Sequence, residues 1–151
     1  MSRRRRPRPL TVLLVEDDGA VRRVIRDMLR QCGCVVREAA DGAGALEALA
    51  GGIPDVVVLD LVLPGLNGLQ VLERLSASGS AATVPVVAIT GSIVPDDVMR
   101  ARGARAVLRK PFAALELRRA LDRVAAGTRG RKSAPHGERL SGFASPGPPV
   151  S

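Results

Sequence analysis

Three consecutive acids, Glu16, Asp17 and Asp18, follow the apolar run Thr11 to Val15, and a fourth, Asp60, follows the run from Asp55 to Leu59. Thr90 and Gly91 end a third apolar run that begins at Val84, and Lys110-Pro111-Phe112 follows a fourth, Ala106 to Arg109. Brought to one place, carboxylates repel, and each raises the cost of ionising the next unless a cation neutralises them. Oxygen ligands with open positions suit Mg2+, which prefers one or two carboxylates, waters and phosphate oxygens to an all-protein cage. A lysine beside such a metal is redundant for holding it but suits a second anion, such as a phosphoryl group, to which Thr90 can also donate. A carboxylate next to Mg2+ can attack phosphorus in line and form an acyl phosphate, while metal and ammonium neutralise the spreading charge. Asp60 is the best nucleophile candidate, because it alone ends the strand expected at the centre of the sheet.

The elements that must position these groups alternate regularly. Val21, Val24, Ile25, Met28 and Leu29 fall on one helical face after the first strand. Cys34 to Glu38 reads as a second strand, and Ala43 to Ala50, closed by Gly51-Gly52, as a second helix. Asp55 to Leu59 is apolar on both faces, as a central parallel strand covered by helices must be. A loop from Leu61 to Asn67 leads to a helix bearing Leu69, Leu72 and Leu75; Val84 to Thr90, Asp96 to Gly103, Ala106 to Arg109 and Ala113 to Ala126 complete the series. Five strand-then-helix units with right-handed crossovers specify an α/β, flavodoxin-like (βα)5 fold. It is a doubly wound five-stranded parallel sheet of order 2-1-3-4-5 in a single domain. Ligands of such sheets sit at the carboxyl ends of the strands, where all the candidate groups lie.

The chain has 151 residues, 46% hydrophobic, and a formal charge of +8. That charge is terminal: residues 1 to 10 carry +5 and residues 127 to 151 carry +3, which leaves residues 11 to 126 neutral. Residues 1–9 and 127–151 are therefore expected to be disordered basic tails, the second rich in Gly, Pro and Ser, around a domain at 10–126. With no helix-turn-helix pattern and no stacking aromatics, Arg3 to Arg6 imply at most nonspecific, salt-sensitive contact with polyanions, and no specific DNA binding is expected. No apolar run is long enough for a transmembrane helix or a signal-peptide core, which predicts no membrane insertion and a cytoplasmic protein. Cys32 and Cys34, the only cysteines, read as buried or incidental thiols, neither a zinc site nor a structural disulfide. His136 sits in the tail without acidic or helical context.

Val15-Glu16-Asp17-Asp18, Leu59-Asp60-Leu61-Val62-Leu63-Pro64-Gly65-Leu66-Asn67-Gly68, Ile89-Thr90-Gly91 and Lys110-Pro111-Phe112 together resemble the receiver (response regulator) domain of two-component signalling, over about residues 10 to 126. The resemblance implies that Asp60 accepts a phosphoryl group from a histidine kinase or histidine phosphotransfer protein, with Mg2+ as cofactor. Glu16 and Asp17 match the acidic pair, Asp17 as a direct Mg2+ ligand beside Asp60 and the backbone carbonyl of Val62. Thr90 matches the switch hydroxyl and Lys110 the lysine that pairs with the phosphoryl group, joined to Pro111 by a cis bond. One position departs: the family's Tyr or Phe, three residues before the lysine, is Val107 here. That puts the usual coupling of Thr90 to an aromatic in question.

Within the neutral stretch, residues 11 to 98 carry six basic and twelve acidic groups, and residues 99 to 126 eight basic and two acidic. The basic third coincides with the face receivers use for output, so an acidic surface is expected on an unidentified downstream protein. Arg109 is expected to point to solvent, and Asp18 to cap the first helix. A homodimer through the last helix stays open. The reading is a stand-alone phosphorylation switch and not a conventional enzyme; the alternative is a receiver-fold binding module that acts without phosphorylation. A phosphatase with an aspartyl-phosphate intermediate would want a second carboxylate two residues after the nucleophile, where Val62 stands.

Overall fold

A computed structural model describes residues 8–63, 65, 68–77, 84–91 and 93–129, with the side chains of 75–77 and 126–129 left aside. Arg3 to Arg6, His136, Pro64 and Asn67 lie outside the described residues. Five parallel strands, β1 (Thr11–Val15), β2 (Val35–Ala39), β3 (Val56–Asp60), β4 (Val86–Thr90) and β5 (Ala106–Arg109), form one sheet in the order β2-β1-β3-β4-β5. The helices between and after them are α1 (Gly19–Gln31), α2 (Gly42–Ala50), α3 (Gly68–Ala77), α4 (Asp96–Ala101) and α5 (Ala114–Arg129). This is the doubly wound order expected from the alternation.

Strand alternation divides the core into two layers. Leu13, Val15, Val57, Leu59, Val86 and Ala88 face one way and pack with Ala45, Leu49, Val71, Leu72 and Met99 from α2, α3 and α4. Val12, Leu14, Val56, Val58, Val87 and Ile89 face the other way, against Ile25 and Leu29 of α1 and Leu117 and Leu121 of α5. Apolar residues on both faces of β3 and β4 are the consequence of covering the sheet on each side. Cys34 is buried in the second layer with Cys32 half-buried beside it, both as free thiols.

Four details shift the sequence boundaries. Asp60 is the last residue of β3 instead of the residue after it, because the ladder to β4 continues as far as the Asp60–Ile89 pair. β4 starts at Val86, since Pro85 has no N–H to give and contributes only its carbonyl, which accepts from Val57 N at 3.0 Å. Arg8, assigned by sequence to the N-terminal tail, lies against the domain: its guanidinium donates to both oxygens of Asp55 at 2.8 and 3.0 Å, and Asp55 also accepts from Thr11 N at 2.9 Å. α5 likewise continues beyond residue 126 to Arg129. No helix among the described residues is long and apolar enough to cross a membrane.

Candidate functional site

Each candidate group stands at the carboxyl end of a strand, and the sheet order brings four of those ends together. β1 delivers Glu16 and Asp17, and the chain then turns at Asp18, whose side chain accepts from Ala20 N at 2.9 Å and Val21 N at 3.1 Å. This N-cap takes Asp18 away from the cluster, as its position before a helix dictates. Glu16 is 1% exposed. Its backbone is held on both sides, by Glu16 N donating to the Ala39 carbonyl at 3.1 Å and by Arg22 Nη1 donating to the Glu16 carbonyl at 2.9 Å.

Asp60, 3% exposed, is equally constrained. Its Oδ1 accepts from Val62 N at 2.9 Å, and its Oδ2 accepts from Lys110 Nζ at 3.1 Å. The Val62 side chain is 60% exposed, so this residue serves the rim through its backbone alone. Lys110 Nζ also donates to both oxygens of Glu16, at 3.1 and 3.3 Å. Lys110-Pro111 is cis, as the resemblance implies. Lys110 N donates to the Thr90 carbonyl at 2.9 Å, joining β4 and β5 where both reach the rim, and Thr90 is fully buried there.

Carboxylate oxygens of Glu16, Asp17 and Asp60 all lie within 4.8 Å of one another; Asp17 is exposed while the other two are buried. Three acids against one ammonium leave two negative charges uncompensated. Burial first, and then the hydrogen-bonded and like-charged Asp60, push the Glu16 carboxyl up to about 7, although Lys110 pulls it down. For Lys110, burial lowers the pKa, and its bonds to Glu16 and Asp60 outweigh that and raise it. An all-oxygen set with one exposed member and an excess of negative charge fits a hard divalent cation that keeps part of its hydration.

The structure thus brings together Glu16, Asp17, Asp60, Val62, Thr90 and Lys110, as the sequence placed them. Val107 sits apart, half-buried against the α2–α3–α4 layer. Arg109 is exposed, as expected, and its Nη2 also bonds the Asp96 carboxylate at 2.6 Å and the Val94 carbonyl, because β5 runs beside the segment leading into α4. Sequence reasoning missed Arg22, whose only signal was its place six residues after Glu16. It also missed Gly68, which stands directly after the loop read from Leu61 to Asn67. A Cβ there would stand 2.3 Å from Leu61 Cα and 2.4 Å from the Asp60 carbonyl, so α3 starts directly against the backbone that carries Asp60.

Beside the rim, Ala20, Val21, Val24, Ile25 and Met28 of α1 and Lys110, Pro111 and Phe112 line an apolar groove of about 500 Å³. Val24 is 55% exposed in it.

Comparison with known proteins agrees with this geometry. The family model described as the response regulator receiver domain matches residues 12–122. The response regulator MprA of Mycobacterium sp. (strain KMS) is 38% identical over 109 residues, which are 72% of this chain and 47% of that protein. A protein-glutamate methylesterase/protein-glutamine glutaminase of Myxococcus xanthus is 46% identical over 85 residues, 55% of this chain and 24% of that one. The chain spans about half the length of the MprA relatives it matches. Among solved structures, the receiver domain of a sensor histidine kinase from Pseudomonas aeruginosa PAO1, with a magnesium ion coordinated in its active site cleft, superposes with a TM-score of 0.71 at 32% identity, over 78% of this chain and 98% of that one. The Vibrio cholerae chemotaxis protein CheY4 gives a TM-score of 0.70 at 28% identity, over 77% of this chain and 98% of that one. With the fold, the acidic rim and the matched residues in agreement, the chain belongs to the response regulator receiver domain family of two-component signalling.

Proposed function

We propose that this domain is a phospho-accepting switch in which Asp60 takes a phosphoryl group from a phosphohistidine of a histidine kinase or phosphotransfer protein. The observation that carries the reading is the single ammonium of Lys110, shared at 3.1 Å by two buried carboxylates, Glu16 and Asp60, with Asp17 completing the cluster. An Asp60 oxygen forms the new bond to phosphorus as the bond to the donor imidazole nitrogen breaks, and the product is an acyl phosphate. The Val62 N–H holds the other oxygen and so orients the carboxylate. Lys110 then exchanges its bond to Asp60 for one to a phosphoryl oxygen, and Thr90, at the end of the adjacent strand, donates its hydroxyl to the same group. Asp17 and Asp60, with Glu16 behind them and the Val62 carbonyl, would hold Mg2+, which when bound neutralises charge on the transferring phosphoryl oxygens.

The groove along α1 offers a protein donor an apolar seat immediately beside Lys110. The exposed arginines of α5, Arg118, Arg119 and Arg123, suit an acidic downstream partner. In this reading the chain acts in the cytoplasm and catalyses only its own modification.

The test is mass spectrometry of the full chain after incubation with Mg2+ and a small phosphodonor. One phosphoryl group on Asp60, released by hydroxylamine as an acyl phosphate is, supports the switch. No label would favour a binding module, and rapid repeated turnover of the donor would favour an enzyme.

A second expected result concerns the metal. Without it, Glu16 binds its proton more tightly in the folded chain than in the unfolded one. The contribution of Glu16 to metal-free stability is therefore fully present below about pH 4.5 and is lost as pH rises through about 7. Mg2+ needs the carboxylates ionised, so its affinity should rise with pH through about 7 and level off above. Calorimetric Mg2+ titrations from about pH 5.5 to about pH 8 check this, and a pH-independent affinity contradicts it.

A further inference from the structure

α4 is poorly anchored for its place beside the site. It has six residues, far below the ~12 to 15 that sustain an isolated helix. Met99 is its one buried side chain, and its N-cap, Pro95, offers no side-chain cap. Polar ties from neighbouring elements hold it instead. At its far end Arg102 pairs with Glu73 of α3, and Arg100 Nη1 donates to the Arg105 carbonyl at 3.2 Å. At its near end the tie is Arg109, through the Val94 carbonyl and the Asp96 carboxylate.

The position of Arg109 gives that tie a direction. Ala106 and Leu108 point into the α1–α5 layer and Val107 into the opposite one, so Arg109, two residues on, projects on the side of α4. It pairs in register with Thr90, and the next residue, Lys110, donates its N–H to the Thr90 carbonyl. The chain thus leaves the rim at Thr90, crosses a short connection and is caught at Val94 and Asp96 by the strand residue beside Thr90. Any movement of Thr90 toward a group on Asp60 pulls on a segment whose other end Arg109 holds. The Val107 side chain has no polar atom with which to do this.

We propose that Arg109 is a positioning residue that couples the rim at Thr90 to α4, by clasping the β4–α4 connection at Val94 and Asp96. This rests on the phosphorylation reading given above. The clasp sets where α4 sits before phosphorylation and passes a change at Thr90 to it afterwards. Because the pair is exposed, each effect is a modest factor.

The experiment is hydrogen exchange of the full chain, with and without Mg2+ and a small phosphodonor, and with Asp60 labelling measured on the same samples. In the unsubstituted chain, labelling should change the exchange of residues 93–101 by about threefold or more. Arg109→Ala should exchange there about fivefold faster before labelling, label at Asp60 within about twofold of the unsubstituted rate, and lose the response to labelling. Arg109→Lys, which keeps the charge and a donor nitrogen but on a shorter side chain without the rigid planar guanidinium, should fall between. Asp96→Asn removes the charge and keeps the Val94 contact, and should also give a partial loss if Arg109→Ala does not fold. Faster exchange in Arg109→Ala with an intact response would make Arg109 merely structural and overturn the proposal. Labelling of the unsubstituted chain without any change at 93–101 would overturn it and leave the phosphorylation reading standing. Absence of labelling overturns both.

Discussion

Asp60→Asn is expected to abolish phosphoryl labelling, a fall of at least about a thousandfold, while leaving the fold intact. The amide is nearly isosteric with the carboxylate. Its oxygen can still accept from Val62 N, and Lys110 keeps both contacts to Glu16. What disappears is the anionic oxygen able to form the acyl phosphate. The same change removes the like-charged neighbour that helps to raise Glu16, so the carboxyl of Glu16 should titrate lower than in the unsubstituted chain. Thermal melts near neutral pH should show a variant no less stable than its parent. Mass spectrometry beside the unsubstituted chain decides the issue: labelling that persists at a comparable rate would place the acceptor elsewhere in the cluster, Asp17 being the next oxygen donor.

Gly68→Ala is expected to destabilise the protein by about 3 kcal/mol or more. The added Cβ would meet backbone atoms of Asp60 and Leu61 at 2.3 to 2.8 Å, and none of them can rotate away as a side chain could. The hydrogen bond from Gly68 N to the Leu61 carbonyl, 3.0 Å, draws the start of α3 onto this loop and leaves no slack. Relief requires moving α3, with buried Val71 and Leu72, or shifting the peptide that carries Asp60. Chemical denaturation reads the stability. Phosphodonor labelling reads the site, and should fall even at temperatures where the variant remains folded. A variant as stable as its parent would show that α3 can retreat at little cost.

These two residues differ in how far the sequence exposed them. Asp60 was legible because an acid at the end of a strand apolar on both faces has few structural reasons to be there, and because Glu16, Asp17 and Lys110 occupy equivalent places on other strands. Gly68 was legible only as the residue that follows a loop. Its close approach depends on the path of a loop that no periodicity encodes. The exposure of Arg109 was legible but its partners were not, for a related reason: strand alternation predicts the side to which a residue points, and nothing local shows that Val94 and Asp96 wait on that side.

The sequence by itself determined the strand and helix order, hence the 2-1-3-4-5 sheet, because hydrophobic periodicity and right-handed crossovers leave few alternatives. It also determined which residues reach the rim, since each follows the carboxyl end of a strand. The tertiary structure decided how those residues share their charge. One ammonium serves two buried carboxylates, Glu16 is pushed up to about 7, and Asp55 receives an arginine that composition alone assigned to a tail. Burial and pairing are relations between distant segments, 94 residues apart for Glu16 and Lys110, and they exist only once the sheet has assembled.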